Sequence, residues 1–158
     1  MQKIMKLLLA VLVIFLGTTA GAAHADALNR STTKSGLTVH FGVVPADKAM
    51  VVERGASAPE DTQAHGGSSY HLVVALFDKS TGARIDDATV TAKVTSPAHK
   101  SRAQPQVKLL QALRINDTVT YGNYFEMPWQ GRYRIDLSVT RKGNAEPTHI
   151  RLAYDQHF

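Results

Sequence analysis

The chain is expected to be all-β: an antiparallel immunoglobulin-like β-sandwich of about seven strands, preceded by a cleaved signal peptide. Three observations carry this reading. An export signal occupies the N-terminus and must be set aside. Apolar residues alternate with a period of two through most of the remainder. Turn-forming residues recur between the alternating stretches.

The export signal spans residues 1–25. Lys3 and Lys6 give it a positive start, and Leu7 to Gly17 is an eleven-residue apolar run. Ala23-His24-Ala25 then places small residues at the two positions a signal peptidase reads. An apolar run of that length falls short of the roughly 20 helical residues needed to span a hydrocarbon layer. Cleavage after Ala25 leaves residues 26–158 as a single domain, and the expected compartment is the bacterial periplasm. Without Lys3 and Lys6 the 18 basic residues fall to 16 against 13 acidic ones, a net charge of +3. That surplus is small and scattered along the chain, which excludes a nucleic-acid partner as an expectation. The chain contains no cysteine, so disulfides, thiolate chemistry and a CxxC redox role are excluded.

The first strand signal is Leu37, Val39, Phe41 and Val43, alternating with polar or small residues until Pro45 ends the run. Residues 53–69, ERGASAPEDTQAHGGSS, are polar and aperiodic and read as a long flexible loop. From Tyr70 to Phe77 both alternating faces are apolar apart from His71, which predicts a central strand with its second face covered. Asp78 to Gly82 is turn chemistry, with Gly82 free to take a positive φ. Ala88, Val90, Ala92 and Val94 form the next alternating strand, which stops at Ser96-Pro97. Val107 to Ile115 fits either a short helix or a strand, and its neighbourhood of strands favours the latter. Thr118 to Glu126 and Arg132 to Thr140 form the clearest pair, the second with Tyr133, Ile135, Leu137 and Val139 as its inward stripe. Ile150, Leu152 and Tyr154 mark a last strand, and no amphipathic helix of useful length competes with this pattern.

At Gln130-Gly131-Arg132-Tyr133-Arg134-Ile135 a glycine stands two residues before a tyrosine that enters an alternating strand. This resembles the tyrosine corner of immunoglobulin-like domains, in which the phenol bonds back to nearby backbone. Together with the HLVVALFD strand, the Gly82 turn and DATVTAKV, over residues 71–94, the chain resembles the FixH-like and YtkA-like group of small periplasmic or membrane-tethered immunoglobulin-like domains. The resemblance covers residues 68–154 and implies copper handling or oxidase assembly, although the FixH pattern includes a retained membrane helix that this sequence is not expected to keep. A looser likeness is to the copper-resistance C proteins, periplasmic sandwiches with histidine ligands.

The mature chain keeps six histidines which, with Met50 and Met127, are its only soft or borderline ligands; imidazole and thioether suit copper better than calcium or magnesium. The best local pair is His65 and His71, separated by five residues that include Gly66-Gly67. Two ligands are not a site, so a third is expected from Met127 in NYFEMPW or from His149 on the last strand. The competing reading makes His65 and His71 the polar lead-in to a buried strand. Catalysis has little support: Glu60-Asp61 and Asp86-Asp87 are adjacent acids rather than an acid/base pair, and Ser68 and Ser69 lack a nucleophile elbow and an orienting acid.

Two functions follow as expectations. The first is an exported, non-enzymatic, monomeric sandwich that binds or relays a metal ion, copper foremost, through His65, His71, Met127 and His149. The second is a metal-free accessory domain that docks onto a membrane or envelope protein partner.

Overall fold

A computed structural model describes residues 30–53, 67–115 and 117–158. The signal-peptide reading of residues 1–25, His65 and most of the expected 53–69 loop lie outside those residues. Eight antiparallel strands follow in order: β1 (Ser31–Lys34), β2 (Leu37–Pro45), β3 (Ser69–Asp78), β4 (Ala88–Thr95), β5 (Gln106–Ile115), β6 (Thr118–Glu126), β7 (Gly131–Arg141) and β8 (Thr148–Gln156). The short β1 is the addition to the expected set, and the ambiguous VKLLQALRI segment is strand β5. One helix, α1 (Ala46–Glu53), begins where Pro45 stops β2 and packs on β2 and β3 through buried Ala46 and Ala49. Its pattern is too short and too weakly amphipathic to have announced itself in the sequence. Among the described residues no helix is long and apolar enough to cross a membrane.

The strand order is β1-β2-β3-β6-β5-β4-β7-β8, and the sheet folds on itself into two packed layers. Strand β5 belongs to both: residues Gln106 to Leu110 pair with β4, and Gln111 to Ile115 pair with β6. The first layer is therefore β1, β2, β3, β6 and the C-terminal half of β5, and the second is β4, β7, β8 and its N-terminal half. At the far edge β1 approaches β8, where the Arg30 guanidinium lies 5.2 Å from the Tyr154 ring centre. Closure of this kind shields sheet edges that would otherwise offer unpaired backbone.

Alternation puts one face of each layer into the core. Leu72, Val74 and Leu76 of β3 are fully buried against Val90 and Ala92 of β4 and Ile135 and Leu137 of β7. Removing such a side chain costs about 2–5 kcal/mol, because the cavity adds to the lost transfer energy. Two tyrosines tie this core to backbone. The Tyr121 hydroxyl accepts from Ala88 N at 3.0 Å, and burial pushes its phenol pKa up despite that bond. The Tyr133 hydroxyl accepts from Trp129 N at 3.0 Å, four residues upstream, which is the tyrosine-corner geometry that the Gly131-Arg132-Tyr133 spacing suggests.

The β3–β4 turn is organised by Asp78. Its carboxylate accepts from Ser80 Oγ at 2.6 Å, from the amides of Ser80 and Thr81 at 3.0 and 3.1 Å, and from Arg141 of β7 at 3.1 Å. These bonds, the Ser80 hydroxyl first, hold its carboxyl well below the usual range. Gly82 takes the positive φ, +69°, that the turn requires.

Candidate functional site

Where β5 leaves β6 for β4, the backbone ladder between β5 and β6 ends and side chains take its place. Gln106 donates to Glu126 O at 2.8 Å and accepts from Glu126 N at 3.0 Å. Lys108 Nζ donates to Tyr124 O at 2.7 Å, and Asn123 Nδ2 donates to Leu109 O at 2.7 Å. Polar backbone that cannot reach its neighbour strand must be satisfied in some other way, and here three side chains bridge the gap. The polar spacing of QVK and the asparagine of YGNYF acquire their purpose at this seam.

His71 sits beside the seam on the outer face of the first layer. Its register partners are Val44 on β2 and Tyr124 on β6. Although it points away from the core, it is only 4% exposed. The imidazole stacks on Tyr124, with ring centres 4.5 Å apart and planes 16° from parallel. Its distal edge lies over Gly122: a Cβ at that position would overlap Nε2 and stand 3.0 Å from Cε1. Gly122 is thus glycine because the histidine ring occupies the space a side chain would fill. The same face carries Glu126, exposed and accepting from Ser68 Oγ at 2.6 Å, and Ser69, whose buried hydroxyl has no hydrogen-bond partner among the described residues. A buried hydroxyl without a partner costs on the order of 1–3 kcal/mol, so among the described residues Ser69 marks a polar position beside His71 that is not satisfied.

The other predicted ligands lie elsewhere. Met127 is fully buried in the hydrophobic core, and its backbone N–H donates to Ser68 O at 2.8 Å. It follows Glu126, and the alternation that turns Glu126 outward turns Met127 inward, so the sheet separates its thioether from His71. His149 is exposed on β8 opposite Ser138, on the outer face of the second layer and therefore on the other side of the molecule from His71. His71, Met127 and His149 consequently do not converge on one ion. Among the described residues no group of three or more His, Asp or Glu is placed to hold a metal. Gly122, Tyr124 and Glu126 were not picked out as site residues by spacing, because their closeness to His71 depends on the β3–β6 register.

No family model matches the chain, and no curated protein sequence matches it. Solved structures share its fold. A DUF4426 family protein from Pseudomonas aeruginosa PAO1 superposes with a TM-score of 0.55 at 13% identity, over 80% of this chain and 92% of that one. FetP of uropathogenic E. coli strain F11, expressed in the periplasm of E. coli, superposes with a TM-score of 0.54 at 12% identity, over 80% and 91%. A copper-bound variant of the same FetP gives 0.55 at 10% identity, over 79% and 92%. At these identities the likeness is one of fold.

Proposed function

We propose that this protein is an exported, non-enzymatic β-sandwich of the periplasm that binds or relays a copper ion on the outer face of its first layer, with His71 as the anchoring ligand. The observation that carries the reading is the combination of a buried, outward-facing imidazole with a fixed ring plane and, on the same face, a Ser69 hydroxyl that has no partner among the described residues. An imidazole held by Gly122 and Tyr124 loses little further freedom on binding an ion, which favours affinity. His65 is the second ligand in this reading, and Glu126 is the one acidic residue of β3 and β6 on that face. Imidazole with carboxylate suits Cu(II). The fold shared with copper-bound FetP supports the assignment without identifying a ligand.

Titration of the exported protein with Cu(II), and with Cu(I) under reducing conditions, tests it. Dissociation constants below about 10 µM that weaken at least tenfold in His71→Ala are expected. Affinity unchanged in His71→Ala and His65→Ala would overturn the reading.

A second reading rests on a different observation. Leu109 and Val107 of β5, register partners of Thr91 and Lys93, are 48% and 62% exposed at the seam, an apolar strip suited to docking on a membrane or envelope protein. Retention of the protein by envelope membranes in the presence of a copper chelator, lost in Leu109→Asp, would favour this docking role over the copper role.

A further inference from the structure

The outer face of the second layer has a different chemistry. Alternation along β7 and β8 puts Arg132, Arg134 and Asp136 beside His149 and Arg151 on that face, and Arg151 stands directly opposite Asp136. Asp136 serves two cations at once: Arg134 Nε donates to Oδ2 at 3.0 Å, and Arg151 Nε donates to Oδ1 at 2.8 Å. Burial raises the Asp136 carboxyl pKa, but the bonds and charges of Arg151 and Arg134 outweigh it and hold the group below its usual value, so it is ionised at neutral pH.

The mode of pairing matters. Arginine–carboxylate pairs frequently use a two-nitrogen fork. Here one carboxylate is shared between two guanidiniums, each engaged through Nε. Among the described residues the terminal nitrogens of Arg151 make no hydrogen bond, and those of Arg134 make only a long contact from Nη2 to Thr95 Oγ1 at 3.5 Å. Both side chains line a groove on this face, which continues past Arg132, His99, Ser96 and Ser101. Across the whole face four cations, Lys93, Arg132, Arg134 and Arg151, stand against two carboxylates, Asp136 and the Asp155 opposite Arg132, a surplus of two positive charges with guanidinium N–H donors at the surface.

We propose that this groove binds a phosphate dianion, held by Arg132, Arg134 and Arg151, with Asp136 bracing two of the three guanidiniums. A dianion matches the surplus charge, and its oxygens match the planar donor forks. A monocarboxylate would leave one charge unmet. The site lies on the opposite outer face from His71 and stands independently of the copper reading.

Inorganic phosphate titrated at constant ionic strength, followed by the arginine Nε–Hε resonances, tests the proposal. Saturable shifts at Arg134 and Arg151 are expected, with at least tenfold weaker binding in Arg151→Gln. Asp136→Asn separates a brace from mere charge. Removing a negative charge would tighten phosphate binding if charge alone mattered, whereas loss of the brace weakens it severalfold, and tighter binding would overturn the proposal. So would shifts that do not saturate, or that chloride reproduces at the same ionic strength. A parallel arm with vesicles of phosphatidic acid in phosphatidylcholine assigns the source of the phosphate: a phosphomonoester on a lipid if vesicles compete with inorganic phosphate, and a soluble phosphate if they do not.

Discussion

The two outer faces of this sandwich are built from strands of similar length and the same alternation, yet they solve opposite problems. Along β2, β3 and β6 the first layer's face carries one charged side chain, Glu126, and it buries His71 against Tyr124 and Gly122. Along β4, β7 and β8 the second layer's face carries six: Lys93, Arg132, Arg134, Asp136, Arg151 and Asp155. The first face is close-packed and polar only at chosen points, so its residues are coupled through contact. The second is solvated, so its residues are coupled through charge. Contact energies in a packed site reach several kcal/mol, whereas exposed ion pairs contribute about 0.2–1 kcal/mol. One face should therefore be sensitive to volume and the other to salt.

The largest expected effect follows from this difference. Gly122→Ala should destabilise the fold by about 1–3 kcal/mol, because the new methyl group must displace the buried His71 ring, which stacks on Tyr124 and lies over Gly122. Urea unfolding measures the loss, and the His71 ring proton resonances should move as the stack with Tyr124 opens. If Gly122→Ala is as stable as the parent, the first face is not close-packed and the contrast fails. Tyr124→Ala removes the stacked partner and should cost about 1 kcal/mol, read in the same way.

On the second face, Asp136→Asn should cost only about 0.2–1 kcal/mol at low salt, and the difference should shrink as ionic strength rises. Lys93→Gln, on the same face, should change stability by no more than about 0.5 kcal/mol. Acid should reveal the charge-coupled groups. Asp78 and Asp136 both have carboxyl pKa values depressed by folding. Their contributions are therefore fully present above the unfolded value of about 3.9 and disappear as pH falls through the lower folded values. The melting temperature should drop below about pH 4, and Asp78→Asn together with Asp136→Asn should flatten that part of the profile.

Much of this architecture is legible in the order of residues. Period-two alternation located β2, β3, β4, β6, β7 and β8, Pro45 ended β2 where expected, and Gly82 took its turn conformation. The pair Gly131 and Tyr133 produced a tyrosine corner, because that motif is set within a few residues. β1 and α1 were less visible: one is four residues long and the other is a single short, weakly amphipathic helix, so neither repeats its pattern often enough to be seen. The basic residues looked scattered because alternation along one strand says nothing about its neighbour. Pairing β7 with β8 brought Arg132, Arg134 and Arg151 together.

The candidate ligands show the same division. Sequence alone settled that His71 faces away from Leu72 and Leu76, since successive side chains on a strand must alternate. It could not settle that Met127 lies across the sheet from His71, that His149 lies on the opposite layer, or that Gly122 and Tyr124 flank the imidazole. Those relations depend on the β3–β6 register and on β5 changing partners midway. Both are fixed by burial of a core shared by distant strands, a non-local balance that no short stretch of chain encodes.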